Sequence, residues 1–231
     1  MPAYFSVAFQ FRRKDLYPGF VSDFYRDLGQ AGFAFQSGCY EAENLSFEEI
    51  VRYNQARLDD NFELGYEEDG RNDYKQVYFS HLEYEEVRGF WMNFRGIREI
   101  RFCLLIPEWE MMECETLWYF KMKKLAPVQR MAVLMWSRGS AAAIQTELEL
   151  DDGAVRMSAL QSGAEPSVRP FAVIPAACGG HAYVNQYTVR NLEANGLLLT
   201  DEILNDLFPF TYFSMIVAAM EEPPSNLDNT E

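Results

Sequence analysis

Histidine occurs only twice in this 231-residue chain, at positions 81 and 181, so a metal centre built on several imidazoles is excluded. The four cysteines, Cys39, Cys103, Cys114 and Cys178, form no CxxC pair, and their apolar neighbours predict buried, reduced thiols. No GxxxxGK[ST] or GxGxxG loop is present to cradle a phosphate, and no GxSxG elbow to present a nucleophilic serine. The first residues show no basic region followed by an apolar one, and the most apolar late stretch, Phe210 to Met220, is too short for a membrane span of about 20 residues. These absences predict a soluble, cytoplasmic protein with no membrane association, no cofactor and no bound metal.

Lysine and arginine are also missing from whole regions. From Asn191 to Glu231 neither occurs, while Glu193, Asp201, Glu202, Asp206, Glu221, Glu222, Asp228 and Glu231 do. Residues 41–73 are similarly acidic, relieved only by Arg52, Arg57 and Arg71. Between Arg88 and Arg138 the sign reverses, with Arg95, Arg98, Arg101, Lys121, Lys123, Lys124 and Arg130 among the bases. The net charge is −15. A polyanion would be repelled by most of this surface, so nucleic acid is excluded as the partner. A bipolar layout of this kind points to an electrostatic partner more than to a reaction.

What the chain does have is a core. Apolar residues are 48% of the sequence and aromatics 15%, with eighteen Phe and thirteen Tyr, a composition that disordered chains lack. Phe5, Val7, Phe9 and Phe11 alternate with Tyr4, Ser6, Ala8 and Gln10, which predicts a strand. Leu16, Phe20, Phe24 and Leu28 predict a helix with Asp15 as its cap and Gly32 beyond its end. Phe33 and Phe35 open a second strand, with a right-handed crossover expected if the two share a sheet in parallel. Ser46 and Glu49 form a capping box before a helix carrying Ile50, Val51 and Leu58. Strands are expected at 76–82, 86–94 and 99–106, with a turn at 93–96. Pro107 is expected to admit a helix reaching Phe120, and Pro127 to begin another. Asp152-Gly153 reads as a hairpin turn between strands 144–150 and 154–160. Strands at 171–174 and 182–189, a turn at Asn195-Gly196 and a final helix from Thr200 complete the pattern.

The fold expected is α+β: a mixed, mostly antiparallel sheet with helices packed on it. Residues 1–222 form one domain, and 223–231 a disordered acidic tail. The strand and helix order restarts near residue 99, raising two related α+β halves with a seam near residue 95.

Chemistry-bearing residues are few. Cys178-Gly179-Gly180-His181 pairs a thiol with an imidazole, but a pair three apart in a glycine turn seldom has nucleophile–base geometry, so a structural loop is the favoured reading. The acids around Gly70 fail a calcium loop at both ends, where Gly65 and Gln76 stand. Glu108, Glu110, Glu113 and Glu115 read as the charged outer face of a helix. The basic run Lys121–Lys124 with Arg95, Arg98 and Arg101 reads as the salt-bridge partner of the acidic segments.

The functional expectation is a non-enzymatic protein-interaction module, inhibitor- or immunity-like in character, that binds a basic protein partner. Glu67, Glu68 and Asp69 would supply charge and Phe62 and Tyr66 the anchors, with Tyr212 and Phe213 beside the second acidic segment. The alternative is a small cytoplasmic hydrolase or transferase, its site assembled from distant residues including Cys178 and His181.

Overall fold

The computed structural model describes residues 3–60, 74–93, 98–114, 118–179 and 186–201. They build an α+β fold around one nine-stranded antiparallel sheet. The elements run β1 (Tyr4–Arg12), α1 (Phe20–Gln30), β2 (Ala34–Gly38), α2 (Phe47–Asp59), β3 (Val77–His81), β4 (Tyr84–Asn93) and β5 (Glu99–Pro107). After these come α3 (Glu108–Met111), β6 (Met112–Cys114), β7 (Trp118–Phe120), α4 (Met122–Ser137), β8 (Ala143–Leu148), α5 (Met157–Gln161), β9 (Phe171–Pro175), β10 (Thr188–Leu192) and β11 (Gly196–Thr200). The sheet order is β10-β11-β9-β8-β1-β5-β4-β3-β2, and β6 and β7 form a separate small ribbon.

The alternation in β1 does what period two requires. Phe5, Val7, Phe9 and Phe11 face a large core with Phe102 and Leu104 of β5 and Trp91 of β4, closed by α1, α2 and α4. Phe24 of α1 packs edge-on to Phe9, Phe11 and Phe102 at centroid distances of 5.0–5.4 Å. Tyr25 is fully buried, and its hydroxyl accepts from Trp91 Nε1 at 2.8 Å and Asn54 Nδ2 at 3.2 Å. Asn54 in turn bonds both backbone groups of Lys75. This chain of bonds ties α2 to α1 and to β4, and burial holds the Tyr25 phenol well above its ordinary pKa.

The first two strands do run in the same direction, but β5, β4 and β3 lie between them. The strands after α1 run from the far edge inward, with β4 reaching β5, whereas those after α4 run outward from β8 beside β1. The repeated strand and helix order in sequence is therefore not a repeated path through the sheet.

Several local expectations are corrected. Helix α1 begins at Phe20 behind Gly19, and Asp15 pairs instead with Arg12 at 2.7 Å. Ser46 and Glu49 form the capping box as read. The helix expected from Pro107 to Phe120 is one turn, α3, followed by the β6–β7 ribbon. Its interruption follows from Glu110, which is 3% exposed and accepts the backbone N–H groups of Glu85 and Glu86. Helix α4 begins at Met122, so Pro127 lies inside it. Thr200 ends β11 instead of opening a helix, and residues 202–231, which hold the rest of that expectation and the tail, lie outside the described residues.

The hairpin at Asp152-Gly153 does not form. Residues 149–170 leave β8 and cross the second face of the sheet as a strap, because β1 and β9 already occupy both sides of β8. Side chains on that face hold the strap. Gln145 donates to Val155 O at 2.7 Å and accepts from the N–H groups of Val155 and Ser167 at 3.2 and 2.7 Å. Gln10 donates to Val155 O and to Glu99 Oε1, both at 2.8 Å, and Glu99 Oε2 accepts the first amide of α5, Met157 N–H, at 2.7 Å. Met157, Leu160 and Val168 then seal β8, β9 and β11. The Gln145→Ala variant takes the acceptor from the N–H groups of Val155 and Ser167, while Val155 O keeps Gln10, and we expect a loss of about 2–4 kcal/mol by urea unfolding. Proteolysis should begin within 149–170, and an unchanged urea midpoint would refute the role given to Gln145.

Candidate functional site

The strap covers only half of the second sheet face. Beyond β1 the register places Glu147, Ser6, Leu105, Arg88, Tyr78 and Ser37 in one row across six strands. A second row carries Gln145, Ala8, Cys103 and Phe90, and a third Gln10, Arg101 and Met92. Ala154 of the strap closes over Ala8 and Cys103, with Phe90, Met92 and Leu105 half-buried at its margin. Tyr40, from the turn after β2, stands 61% exposed beside them.

Arg88 is the centre of this face. Its guanidinium carbon lies 4.4 Å from the Tyr4 ring centroid, and Nη1 donates to the Tyr40 hydroxyl at 2.9 Å. Nε is 2.8 Å from Glu86 Oε1 without hydrogen-bond alignment, an ion pair only. The Tyr4 hydroxyl donates to the same carboxylate at 3.1 Å. Next to Arg88, Tyr78 is pushed up to about 12 by its hydrogen bond to Cys39 and by burial, so it stays a neutral phenol. Three tyrosines thus lie about one neutralised arginine, Tyr4 and Tyr40 in direct contact with it and Tyr78 beside it in the register. Tyrosine and arginine in this arrangement are the residue types that anchor protein interfaces. The alternation of β1 and the presence of Arg88 were visible in the sequence. Their convergence with Tyr40 and Tyr78 was not, because it depends on the order β1-β5-β4-β3.

The sequence-derived candidates fall elsewhere. Glu67, Glu68, Asp69, Phe62, Tyr66, Tyr212, Phe213 and His181 lie outside the described residues. Cys178 is 8% exposed, and burial raises its thiol pKa, which opposes thiolate formation at neutral pH. It lines a cleft of about 550 Å³ with Arg12, Gln161 and Asn195 among the polar groups, and the described lining brings no carboxylate or imidazole to it. Among the described residues no three His, Cys, Asp or Glu side chains gather as a metal site. Cys39, Cys103 and Cys178 are buried free thiols, and Cys103 is pushed up to about 12 by burial and by Glu147.

The acids of α3 are not simply an outer face, since Glu110 is a buried cap. Five bases of this stretch form ion pairs among the described residues. Arg88 meets Glu86, Arg101 meets Glu99, Lys123 meets Glu83, Lys124 meets Glu110 and Arg138 meets Asp27. Most acids of 41–73 and 191–231 lie outside the described residues, and so does the expectation that they pair with this stretch. No helix among the described residues is long and apolar enough to cross a membrane. The chain matches no protein-family model, no curated protein and no solved structure.

Glu147 borders the face and supplies a test of its burial. Its pKa is raised, chiefly by desolvation, with Arg101 opposing, and its Oε2 reaches no hydrogen-bond partner. A raised folded-state pKa means stability present at low pH that is lost as the carboxyl ionises. Glu147→Gln should therefore be more stable than the parent at pH 7 in urea unfolding. The difference should shrink as pH falls and vanish below the ordinary carboxylate range near about 4. A variant destabilised equally at both pH values would contradict it.

Proposed function

We propose that this chain is a protein-interaction module that takes a basic protein partner, with the Tyr4, Tyr40, Tyr78 and Arg88 face as its anchoring surface. The observation that carries the reading is the half-covered sheet: among the described residues the strap seals β8, β9 and β11 and reaches across the face only as far as Ala154, leaving a partly exposed aromatic patch beyond it. Charge complementarity selects the partner. A chain of net charge −15 attracts a cationic protein over a Debye length of about 8 Å at physiological salt. The tyrosine rings then offer π-faces, and Glu86 its carboxylate, to incoming Lys and Arg side chains. An inhibitor- or immunity-like role is the form of binding this combination suits. The competing hydrolase or transferase reading needs an activated nucleophile, and the depth and raised pKa of Cys178 weigh against it.

The acidic segments would act on the rate of encounter, and the sheet face on the lifetime of the complex. A photo-crosslinking residue at Tyr40 should trap a basic protein in cells of the chain's origin. The same residue at Tyr17, which is 46% exposed on the helix-bearing side, should not. With the trapped protein purified, Tyr40→Ala should weaken binding at least about tenfold through faster dissociation. Neutralising Glu67, Glu68 and Asp69 together should slow association at low salt and leave dissociation alone. Crosslinks to an acidic protein, equal trapping from Tyr17, or Tyr40→Ala binding like the parent would overturn the proposal.

A further inference from the structure

On the helix-bearing side of the sheet, a separate cleft of about 470 Å³ opens between α4 and the β3–β4 turn. One wall is a single face of α4. Lys123, Ala126, Pro127 and Arg130 fall three and four residues apart and so line up along the helix. The other wall is His81, Leu82 and Glu83, and Gly32, just past α1, completes the lining.

The imidazole is held in place. Its ring stacks on Phe33 at 4.5 Å and lies tilted against Tyr84 at 4.8 Å between centroids. Nδ1 accepts the Glu83 backbone N–H at 3.0 Å, so the neutral ring carries its proton on Nε2. The Cδ2–Nε2 edge faces Gly32, since a Cβ there would lie 3.4–3.5 Å from those two atoms. Gly32 has φ +98°, so a side chain is disfavoured there on backbone grounds as well. The cleft therefore presents an oriented N–H donor.

Two cations join it. Lys123 is 81% exposed and only loosely paired with Glu83 at 3.5 Å. Arg130 is exposed and makes no ion pair or hydrogen bond among the described residues. An uncommitted arginine stands out in a chain of net charge −15. Leu82 adds an apolar lip. It is fully exposed at a two-residue turn, a position that ordinarily takes Gly, Asn or Asp.

We propose that this cleft binds a small organic acid. Arg130, Lys123 and the His81 Nε2–H hold its carboxylate or phosphate group, and Leu82, Ala126 and Pro127 cover its apolar body. The volume lies in the range of small-molecule sites, about 300–1,000 Å³, and the lining has their usual composition, an apolar surface with a few convergent polar groups. A guanidinium suits either oxyanion because its fork matches both.

With only two histidines, ¹⁵N-histidine NMR of the intact chain reads the site directly. Benzoate and phenyl phosphate share a ring and differ in the anion, benzyl alcohol has a similar body without charge, and sodium chloride matches the ionic strength. We expect the His81 Nε2 resonance to shift saturably with benzoate, phenyl phosphate or both, at a Kd below about 1 mM. A response to one alone identifies the anion. Arg130→Gln and Lys123→Gln should each weaken binding at least about tenfold, as loss of a charge-assisted bond implies. Arg26→Gln, on the exposed face of α1, should leave it unchanged. The proposal is overturned by the absence of a saturable shift with either anion, by an equal response to benzyl alcohol or sodium chloride, or by parent-like affinity in both cleft variants.

Discussion

Gln10 and Gln145 lie side by side on neighbouring central strands, both fully buried, and the rest of the second sheet face depends on how their amides are satisfied. An amide buried without partners costs several kcal/mol, and no ladder position is free to take these two. The strap supplies what they need through the backbone of Val155 and Ser167, and Glu99 extends the network to the first amide of α5. Arg101 Nε lies 2.8 Å from Glu99 and neutralises it. Such a network has few tolerated half-measures, because each member left unpaired in the low-dielectric interior loses more than the bond was worth. It fixes where the strap runs, and so it fixes where the cover on this face ends.

That dependence explains which parts of the fold were legible in the sequence. Period-two alternation in β1 and the Ser46–Glu49 box are local signals, and both are realised as read. Strands β3, β4 and β5 were found within two residues at either end. Two of the failures occur where a distant side chain decides the conformation. Asp152-Gly153 has the chemistry of a hairpin turn, but its second arm is claimed by Gln145 and Glu99 from across the sheet. The stretch after Pro107 has helical spacing, but Glu110 is withdrawn into the core to cap Glu85 and Glu86. Turn propensity of a few tenths to about 1 kcal/mol yields to buried polar groups that cost more if left unsatisfied.

The candidate sites were less legible than the fold, for a related reason. Cys178 and His181 are close in sequence, yet a site is a convergence in space. The tyrosine and arginine face is assembled from β1, β3, β4 and the turn after β2. Its members are from ten to more than eighty residues apart, and none forms a motif. The cleft at His81 joins a hairpin tip to a helix forty residues later in the same way. Charge was legible only in part. The basic stretch was found, but its neutralisation by Glu83, Glu86, Glu99 and Glu110 is set by register.

An aromatic sheet face left open invites indiscriminate association, and the features that restrain it also define what kind of recognition it permits. The sheet edges are poor templates. Strand β2 carries an irregularity between Phe35 and Ser37, and β10 is five residues long with Thr188, Arg190 and Asn191 exposed. Short or bulged edges bearing charge disfavour strand addition. On the face itself, the exposed Tyr40 and the half-buried Tyr4 and Tyr78 each have a polar end already engaged: Tyr4 with Glu86, Tyr40 with Arg88 and Tyr78 with Cys39. A purely apolar surface would desolvate Glu86 and Arg88 and offer them nothing in return. A partner that brings its own cations and donors keeps them satisfied. Recognition by this face is thus weighted toward polar, positively charged surfaces by the cost of burying what it already holds, and the net charge of the chain acts in the same direction.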